Sequence, residues 1–469
     1  MKSSKEVVLS RYNKYISINP YTGQLLEEFE TWDAERIRRS VKLSAAAYKE
    51  WRVTSPEQRR SFLIALSAHL RNNVSSMAQV ITDEMGKPVA QSKAEILKSA
   101  SLCDYYTEHL DQLTTPRRVA LDGRKYGLVL PQPQGAVLGV MPWNFPVWQA
   151  IRFAVPVLCG GNVVLLKHAQ NVGMTANLIE DAVRRAAGME GVLINTFVSH
   201  EDAAIYLEDD HVIGTSLTGS EKAGVAIGQL AGKNIKKSVM ELGGSDAFVV
   251  LHDADILTSV RHAVKARLNN NGQTCIAAKR FFIDASISDQ WTEAFVQLMK
   301  EQKIGDPNDT SNNMSGLARP DLAMTLSTQV EESVYIGARK LLKGGIDREN
   351  ASLFHPEVLT DIPDNSPLGE EETFGPVASL FTFKNEDEML QKVNASRYGL
   401  GASIWSGNTE HAIQVAGKIE SGSVAVNQMM SSDPRLPFGG IKKSGFGREM
   451  SSEGFFEFVN LKTIIVADE

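Results

Sequence analysis

The stretch "GAVLGVMPWNFPVWQAIRFAVPVLCGGNVVLLK", which runs from Gly135 to Lys167, decides the fold class. Its two ends are short apolar runs rich in β-branched residues, and the apolar segment between them has helical spacing. A strand, a helix and a second strand in this order predict a parallel strand pair, because parallel strands need a long crossover connection. The stretch therefore predicts an α/β fold with a parallel sheet covered by helices on both faces.

The same alternation continues along the chain. Further strands are predicted at "GVLINTFV", from Gly191, and at "HVIGTSLTG", from His211, with the helical "GMTANLIEDAVRRAAG" before them. A second series is predicted to begin at "SVMELGG" and to continue through "DAFVVL", "ADILTSVRHAVKARLNNNG", "KRFFIDAS" and "DQWTEAFVQLMKEQK". Residues 34–101 have helical spacing. The sequence therefore predicts two α/β domains.

Residues 115–134 interrupt the first series with proline, glycine and an alternating pattern, which predicts an inserted hairpin. The tail, "GFFEFVNLKTIIVADE", predicts a terminal strand that pairs with this hairpin. The predicted boundaries are 1–114 with 135–240 for the first α/β domain and 241–440 for the second. Residues 115–134 and 454–469 form the predicted small β element.

Composition excludes several classes of protein. The chain has 469 residues, 43% hydrophobic and 22% charged, and a formal net charge of -7, which argues against a basic nucleic-acid-binding face. No run reaches the roughly 18 apolar residues of a membrane span, and the start has no apolar signal core. Three cysteines are too few for a disulfide framework or a CxxC metal site. We therefore expect a cytoplasmic protein with no metal, membrane or nucleic-acid partner.

One of the three cysteines has an unusual setting. Cys103 and Cys159 lie in apolar helical segments, which predicts that they are small buried residues. Cys275 follows amides and a glycine in "NNNGQTCIAAKR", residues 269–280, which predicts a thiol on a turn. A thiol with a pKa near about 8.5 is mostly protonated at pH 7 and needs a base or a positive field to react quickly. A burial role for Cys275 is the alternative.

Two further residues are candidates for chemistry. Glu241 lies in the apolar strand of "MELGGSDAF", where a carboxylate is either satisfied structurally or tuned upward in pKa for proton transfer. The sequence leaves both alternatives open. Asn144, in "VMPWNFPVW", either donates its amide to a developing oxyanion or forms a turn.

The sequence contains no G-x-G-x-x-G dinucleotide fingerprint. The segment "TGSEKAG", residues 218–224, is predicted to end a strand and begin a helix, and free N–H groups at a helix N-terminus can hold a pyrophosphate. On its own this signal is weak, because most such turns bind nothing.

Six motifs, "PWNFP", "LTGS", "ELGGSDAF", "GQTC", "EETFGP" and "PFGGIKKSGFGRE", resemble in order those of the aldehyde dehydrogenase superfamily. The similarity is greatest to its bacterial NAD(P)-dependent succinate-semialdehyde dehydrogenase branch. The resemblance implies an aldehyde dehydrogenase-like α/β fold with a dinucleotide-binding domain, a catalytic domain and a small β element for oligomerisation. It also implies a homodimer or homotetramer.

The resemblance assigns roles to the catalytic candidates. It implies that Cys275 attacks the aldehyde carbon, and that Asn144 and the Cys275 N–H form the oxyanion hole. After hydride transfer to nicotinamide, Glu241 activates the water that hydrolyses the thioester. A second cysteine that forms a redox switch in some relatives is Ala277 here, so no disulfide switch is expected.

The resemblance also implies a cofactor site. Gln170 stands where many NAD-preferring relatives have a glutamate that repels a 2′-phosphate, so the cofactor is expected to be NADP or NAD. The implied cofactor contacts are Lys167, Gln170, Gly219, Ser220, Trp143, Glu372 and Phe374.

For the substrate, the resemblance implies that Arg152 and Ser432 hold the distal carboxylate of succinic semialdehyde, with Phe438 beside them. For Arg152, a structural carboxylate partner or a route to the surface is the alternative. A further arginine of some relatives is Asn269 here, which predicts a weaker or differently built clamp. The alternative functions are a broader-specificity aldehyde dehydrogenase, an enzyme that passes the thioester to coenzyme A, and a catalytically inactive scaffold protein.

Overall fold

The computed structural model describes residues 14–123 and 125–467. Its strands are β1 (Lys14–Ile18), β2 (Leu25–Glu30), β3 (Arg117–Leu121), β4 (Lys125–Gln132), β5 (Ala136–Val140), β6 (Val163–Lys167), β7 (Leu193–Asn195), β8 (Val212–Thr218), β9 (Lys237–Glu241), β10 (Asp246–Val250), β11 (Ala278–Asp284), β12 (Arg339–Leu342), β13 (Gly345–Ile346), β14 (Phe354–His355), β15 (Glu357–Thr360), β16 (Val377–Phe383), β17 (Tyr398–Gly399), β18 (Gly401–Trp405), β19 (Ser423–Val426), β20 (Ile441–Lys442), β21 (Gly445–Phe446) and β22 (Asn460–Ala467).

Its α-helices are α1 (Ala34–Trp51), α2 (Pro56–Asn72), α3 (Val74–Met85), α4 (Val89–Thr114), α5 (Pro146–Cys159), α6 (Gly173–Ala187), α7 (Ala203–Glu208), α8 (Glu221–Lys233), α9 (Ile256–Leu268), α10 (Ser288–Lys300), α11 (Pro320–Ile336), α12 (Pro367–Glu370), α13 (Glu386–Asn394), α14 (Thr409–Ala416) and α15 (Ser451–Phe456). A short 3₁₀ turn, Asn269–Gly272, follows α9. None of the helices in the described ranges combines the length and apolarity needed to cross a bilayer.

The first large sheet has the strand order β21-β9-β8-β5-β6-β7, and all its pairs are parallel except β21 with β9. Every residue of β6 and β7 is buried. Since successive side chains of a strand point to opposite faces, burial of them all means that helices cover both faces, as the opening stretch predicts.

The direction of chain progress reverses within this sheet. The chain runs from β5 outward through β6 to β7, and then returns so that β8 pairs with the other side of β5. In open α/β sheets, ligands bind at such a switch point, outside the carboxyl ends of the strands. The loops that follow β5 and β8 are therefore the natural walls of a binding crevice.

The second large sheet has the order β12-β15-β16-β11-β10-β18-β19, with every pair parallel except β12 with β15. Its central strands β10 and β18 are buried at every residue. The two sheets and their helices confirm the predicted α/β fold class.

One sequence assignment is wrong. The segment "SVMELGG" was expected to open the second series, but its strand β9 pairs with β8 in the first sheet, with Thr218 opposite Glu241. Helix α8 makes this connection another parallel crossover of the first sheet. Hydrophobic pattern reports that a strand is buried and does not report which neighbour it pairs with.

The third element is an antiparallel sheet of order β22-β4-β3. The hairpin of β3 and β4 and the tail strand β22 pair as the sequence predicts. Most of β22 is exposed, including Leu461 and Ile465. The division into domains at the expected boundaries stays a prediction.

A buried carboxylate, that of Glu95, connects two helices beside the first sheet. Helix α5 begins with Pro146, and its first N–H groups are capped from another helix: Glu95 Oε1 accepts from the N–H groups of Val147 at 2.8 Å and Trp148 at 3.0 Å. The other Glu95 oxygen pairs with Lys87, and both side chains are buried. A carboxylate at a helix N-terminus is stabilising, so Glu95 fixes α4 to α5 and holds the loop that carries Asn144.

Candidate active site

The parallel direction of the first sheet brings several site candidates to one edge. Asn144 follows the end of β5, Lys167 ends β6, Ser220 follows β8 and Glu241 ends β9. Because the carboxyl ends of parallel strands meet at the same edge, these residues share one side of the sheet although the sequence separates them widely. The Gly219 N–H donates to the Glu241 carbonyl at 2.9 Å, which joins two of these strand ends.

The backbone before Cys275 has a left-handed conformation at three successive residues. The φ angles of Asn270, Asn271 and Gly272 are 55°, 56° and 78°. Asparagine tolerates this region better than most residues, and glycine enters it freely. A Cβ on Gly272 would also lie 2.4 Å from the Gly375 carbonyl oxygen. The amide and glycine composition of this stretch therefore serves a backbone turn.

Side-chain amides hold this turn against neighbouring segments. They bond to backbone groups, which is the role that short amide side chains commonly play in turns. The bonds are Asn270 Nδ2 to the Asn144 carbonyl at 2.7 Å, Asn271 Nδ2 to the Gly316 carbonyl at 2.8 Å, the Ser315 N–H to Asn271 Oδ1 at 2.8 Å, and the Ala318 N–H to Gln273 Oε1 at 2.9 Å.

The peptide groups beside the thiol are oriented by a buried lysine. Lys279 Nζ donates to the Thr274 carbonyl at 3.0 Å and to the Cys275 carbonyl at 2.6 Å. In a trans peptide the Cys275 N–H points away from the Thr274 carbonyl. Within residues 14–123 and 125–467, no group accepts a hydrogen bond from this N–H. It is therefore available to a ligand.

Asn144 is buried, and its Nδ2 donates to the Gln273 carbonyl at 3.0 Å. An amide nitrogen carries two hydrogens, so one remains for a second acceptor. The Asn144 amide, which contacts the residue two positions before Cys275, and the Cys275 N–H are thus two donors in the segment around the thiol. This arrangement can stabilise an oxyanion formed when the thiol adds to a carbonyl carbon.

The Cys275 side chain is part-buried, whereas Cys103 and Cys159 are fully buried. Burial raises the pKa of the Cys275 thiol to about 12, although Arg152 and Lys279 act in the opposite direction. The thiol is therefore protonated at neutral pH in the ligand-free site. Reaction requires further stabilisation of the thiolate or a base.

Glu241 is buried at the end of β9, and no side chain among the described residues hydrogen-bonds to its carboxylate oxygens. Burial raises the pKa of Glu241 to about 8; the charge of Arg152 acts against this rise, and the charge of Glu449 adds to it. The Gly440 backbone approaches the carboxylate without a well-formed hydrogen bond. Of the two alternatives for this carboxylate, the structure favours a pKa tuned upward over a structurally satisfied group.

Arg152 has a structural carboxylate partner. Its Nε forms a buried ion pair with Glu449, its Nη2 lies 3.4 Å from Thr218 Oγ1, and its Cζ lies 4.9 Å from the centre of the Phe438 ring. Much of the guanidinium charge is therefore balanced within the protein. The sequence left this alternative open. An arginine whose charge is already balanced is less available to hold a substrate carboxylate than the resemblance implies.

A cavity of about 210 Å³ joins the thiol to the expected substrate contacts. It is lined by Cys275, Arg152, Ser432 and Phe438 and also by Lys98, which sequence reasoning missed. Lys98 lies on α4, whose pattern is that of an ordinary helix, and no motif marks it. The structure alone brings it to the thiol.

The expected nicotinamide contacts lie next to the catalytic residues. The rings of Trp143 and Phe374 meet edge to face at 5.7 Å. Glu372 Oε1 accepts from the Gly244 N–H at 3.0 Å, and a Cβ on Gly243 would lie 2.4 Å from Glu372 Oε2. Glycine at 243 thus permits the close approach of Glu372.

The remaining expected cofactor contacts border the crevice of the first sheet. Lys167 is buried, and burial lowers the pKa of Lys167 to about 8. Gln170 accepts from the Ile16 N–H at 3.0 Å through its backbone carbonyl. Ser220 caps α8 by accepting from the Ala223 N–H, and the described residues supply no acceptor for the N–H groups of Glu221 and Lys222. Unpaired N–H groups at a helix start fit a phosphate group.

The described part of the chain holds no cluster of three or more His, Cys, Asp or Glu side chains that could bind a metal ion.

A profile of the aldehyde dehydrogenase family matches residues 8–464. The chain belongs to the aldehyde dehydrogenase family. The resemblance predicted from the six motifs is thereby confirmed.

Individual relatives are similar over nearly the whole chain. The NAD(P)+ succinate semialdehyde dehydrogenase Sad of Escherichia coli is 40% identical over 449 residues, covering 96% of this chain and 97% of that protein. A probable NADP+ succinate-semialdehyde dehydrogenase of Synechocystis is 39% identical, covering 96% and 99%. The crystal structure of the succinic semialdehyde dehydrogenase of Streptococcus pyogenes with NADP+ matches with a TM-score of 0.94 and 34% identity, covering 97% and 100%.

The left-handed turn before Cys275 generates a prediction for Gly272→Ala. Strain at a positive φ should lower the free energy of unfolding by about 1–3 kcal/mol, and displacement of the thiol should lower aldehyde oxidation about 100-fold. Urea unfolding and steady-state rates measure the two effects.

The matched control is Gly232→Ala in α8, where an added Cβ would meet nothing within 4 Å. This variant should keep the wild-type rate and stability or gain up to about 1 kcal/mol. Wild-type stability and rate in Gly272→Ala would show that the turn is not the constraint described.

Proposed function

We propose that the chain oxidises succinic semialdehyde to succinate with NADP+ or NAD+ as the hydride acceptor. The observation that carries the proposal is the cavity that Cys275 lines together with the cationic side chains of Lys98 and Arg152 and the hydroxyl of Ser432. Relatives named as succinate-semialdehyde dehydrogenases support the choice of substrate.

In the proposed reaction, the Cys275 thiol gives its proton to water, and the resulting thiolate, which Arg152 and Lys279 stabilise, attacks the aldehyde carbon. The carbonyl oxygen becomes an oxyanion and accepts hydrogen bonds from the Asn144 amide and the Cys275 N–H. The bound nicotinamide supplies the hydride acceptor. Loss of hydride from the carbon leaves a thioester on Cys275.

Glu241 acts in the second half of the reaction. Its carboxylate takes one proton from water, the water oxygen attacks the thioester carbon, and the carbon–sulfur bond breaks to release the carboxylic acid and the thiolate. The acid then loses its remaining proton to solvent and leaves as the carboxylate. The absence of a side-chain hydrogen bond to Glu241 among the described residues supports this role, because both oxygens can accept from water.

For the cofactor, we propose that Trp143, Glu372 and Phe374 contact the nicotinamide end. Lys167 and Gln170 contact the adenosine ribose, and Gly219 and Ser220 border the pyrophosphate. Since the Gly219 N–H is bonded to Glu241, the free N–H groups at the start of α8 are better placed to donate. The neutral side chain of Gln170 does not repel a 2′-phosphate, so both cofactors remain compatible.

We also propose a cytoplasmic homodimer or homotetramer with the domain division given above. Exposed apolar residues on β22, including Leu461 and Ile465, support pairing through the small antiparallel sheet. An open sheet edge is commonly covered in this way.

The proposed base generates a prediction about Glu241→Gln. Hydride transfer needs no base, so this variant should give a burst of reduced cofactor followed by turnover about 100- to 10,000-fold slower than wild type.

The pH dependence of the wild type gives a second prediction. A base works only when it is deprotonated, so kcat should fall as pH drops through about 8, the pKa of Glu241. Stopped-flow absorbance and a pH profile at saturating aldehyde measure both.

Full steady-state activity in Glu241→Gln would refute the role of this carboxylate. A wild-type kcat that stays flat between about pH 7 and 9 would contradict the proposed pKa.

The proposed substrate is tested by comparing succinic semialdehyde with butanal, which has the same chain length and lacks the carboxylate. The wild-type kcat/KM should be about 10- to 100-fold higher for succinic semialdehyde, the usual range for a charge-assisted hydrogen bond. Both aldehydes are assayed with NADP+ and NAD+. Equal values for the two aldehydes would leave only a general aldehyde dehydrogenase.

A further inference from the structure

Lys98 lines the same cavity as the Cys275 thiol. Its Nζ donates to Ser432 Oγ at 2.7 Å and lies 4.4 Å from the centre of the Trp148 ring. A lysine ammonium has three hydrogens, and Ser432 takes one of them. The other two are available to an acceptor in the cavity.

No carboxylate in the part of the chain that the structure describes lies within ion-pair distance of Lys98. The two nearby acids are committed elsewhere. Glu95 pairs with Lys87, and Asp433 pairs with Arg435 at 2.7 Å. The ammonium is therefore a part-buried positive charge whose nearest carboxylates already have partners.

Arg152 differs in this respect although it lines the same cavity. Its guanidinium is paired with Glu449 and also lies in the field of Glu241, so the protein itself supplies its counter-charge. An incoming carboxylate gains little from a cation that is already balanced and much from one that is not.

Asn269 also lines the cavity, and it is neutral. Asn269 therefore contributes no charge to the cavity. The cationic side chains in the cavity lining are Lys98 of α4 and Arg152 of α5.

Ser432 completes the pair. Its oxygen accepts from Lys98, so its hydroxyl hydrogen points elsewhere and can donate. An ammonium and a hydroxyl donor side by side match the two oxygens of a carboxylate.

We infer that Lys98, together with Ser432, is the residue that selects aldehydes bearing a distal carboxylate. The inference rests on the proposed function and names the charge that gives this site its specificity. Arg152 acts chiefly on the electrostatics of Glu241 and Cys275, with which it also interacts.

The charge environment supports this assignment. Burial and the charge of Arg152 lower the pKa of Lys98 to about 8, against the opposing effects of Asp433, Cys275 and Glu95. The charged form of Lys98 is thus less favourable in the cavity than it would be in water. A substrate carboxylate would stabilise the charged form of Lys98, so binding of the carboxylate and protonation of Lys98 favour each other.

The first test compares Lys98→Met with Lys93→Met, an exposed lysine of the same helix. The measured quantity is the ratio of kcat/KM for succinic semialdehyde to that for butanal. This ratio should fall about 10- to 100-fold in Lys98→Met and stay at the wild-type value in Lys93→Met. Arg152→Met should slow both aldehydes together and leave the ratio within about threefold of wild type.

The second test uses pH and Lys98→Arg. In the wild type the ratio should fall as pH rises through about 8, because the ammonium loses its proton. The guanidinium of the variant stays charged, so its ratio should remain flat over the same range. A lysine that only supports the fold would produce no such difference.

The outcomes separate the two proposals. A wild-type ratio near one would refute the proposed substrate. A high wild-type ratio that Lys98→Met preserves would overturn the role of Lys98 and leave the substrate assignment intact. A high ratio that Arg152→Met abolishes would transfer the role to Arg152.

Discussion

The left-handed backbone from Asn270 to Gly272 is the constraint on which the site depends. The turn leads from α9 to Cys275, and Asn270 ties it to the Asn144 carbonyl at 2.7 Å. Asn144 lies in the loop that follows β5 of the first sheet, whereas the cysteine precedes β11 of the second. The amide contacts thus hold the turn before Cys275 against the loop that follows β5, and in this way they connect groups from the two sheets.

Electrostatics divides the cavity into balanced and unbalanced charges. The charges of Arg152 and Glu449 balance each other, whereas Glu241 lacks a side-chain hydrogen bond and Lys98 lacks an ion-pair partner among the described residues. Leaving such groups unpaired is unfavourable for folding, and sites that tolerate it are commonly functional. The unbalanced carboxylate suits a base for water, and the unbalanced ammonium suits an anchor for the substrate's carboxylate.

The sequence was sufficient for the α/β fold class and for the pairing of the hairpin with the tail strand, because alternating strands and helices leave strong local patterns. It was not sufficient for the neighbour of β9, since burial does not report which strand lies beside it. The partnership of Arg152 with Glu449 and the arrival of Lys98 at the thiol join residues that are distant in the chain. Neither leaves a local pattern, so only the folded structure could reveal them.

The central claim is that oxidation proceeds through a thioester on Cys275 in this constrained site. The most direct test mixes the wild-type protein with NADP+ and succinic semialdehyde, quenches the reaction with acid within the first turnover and maps the acylated peptide by mass spectrometry. We expect a succinyl group on the peptide that contains Cys275, and none on the buried Cys103 or Cys159. Rapid oxidation with no acyl group on Cys275, or with the group on another residue, would contradict it.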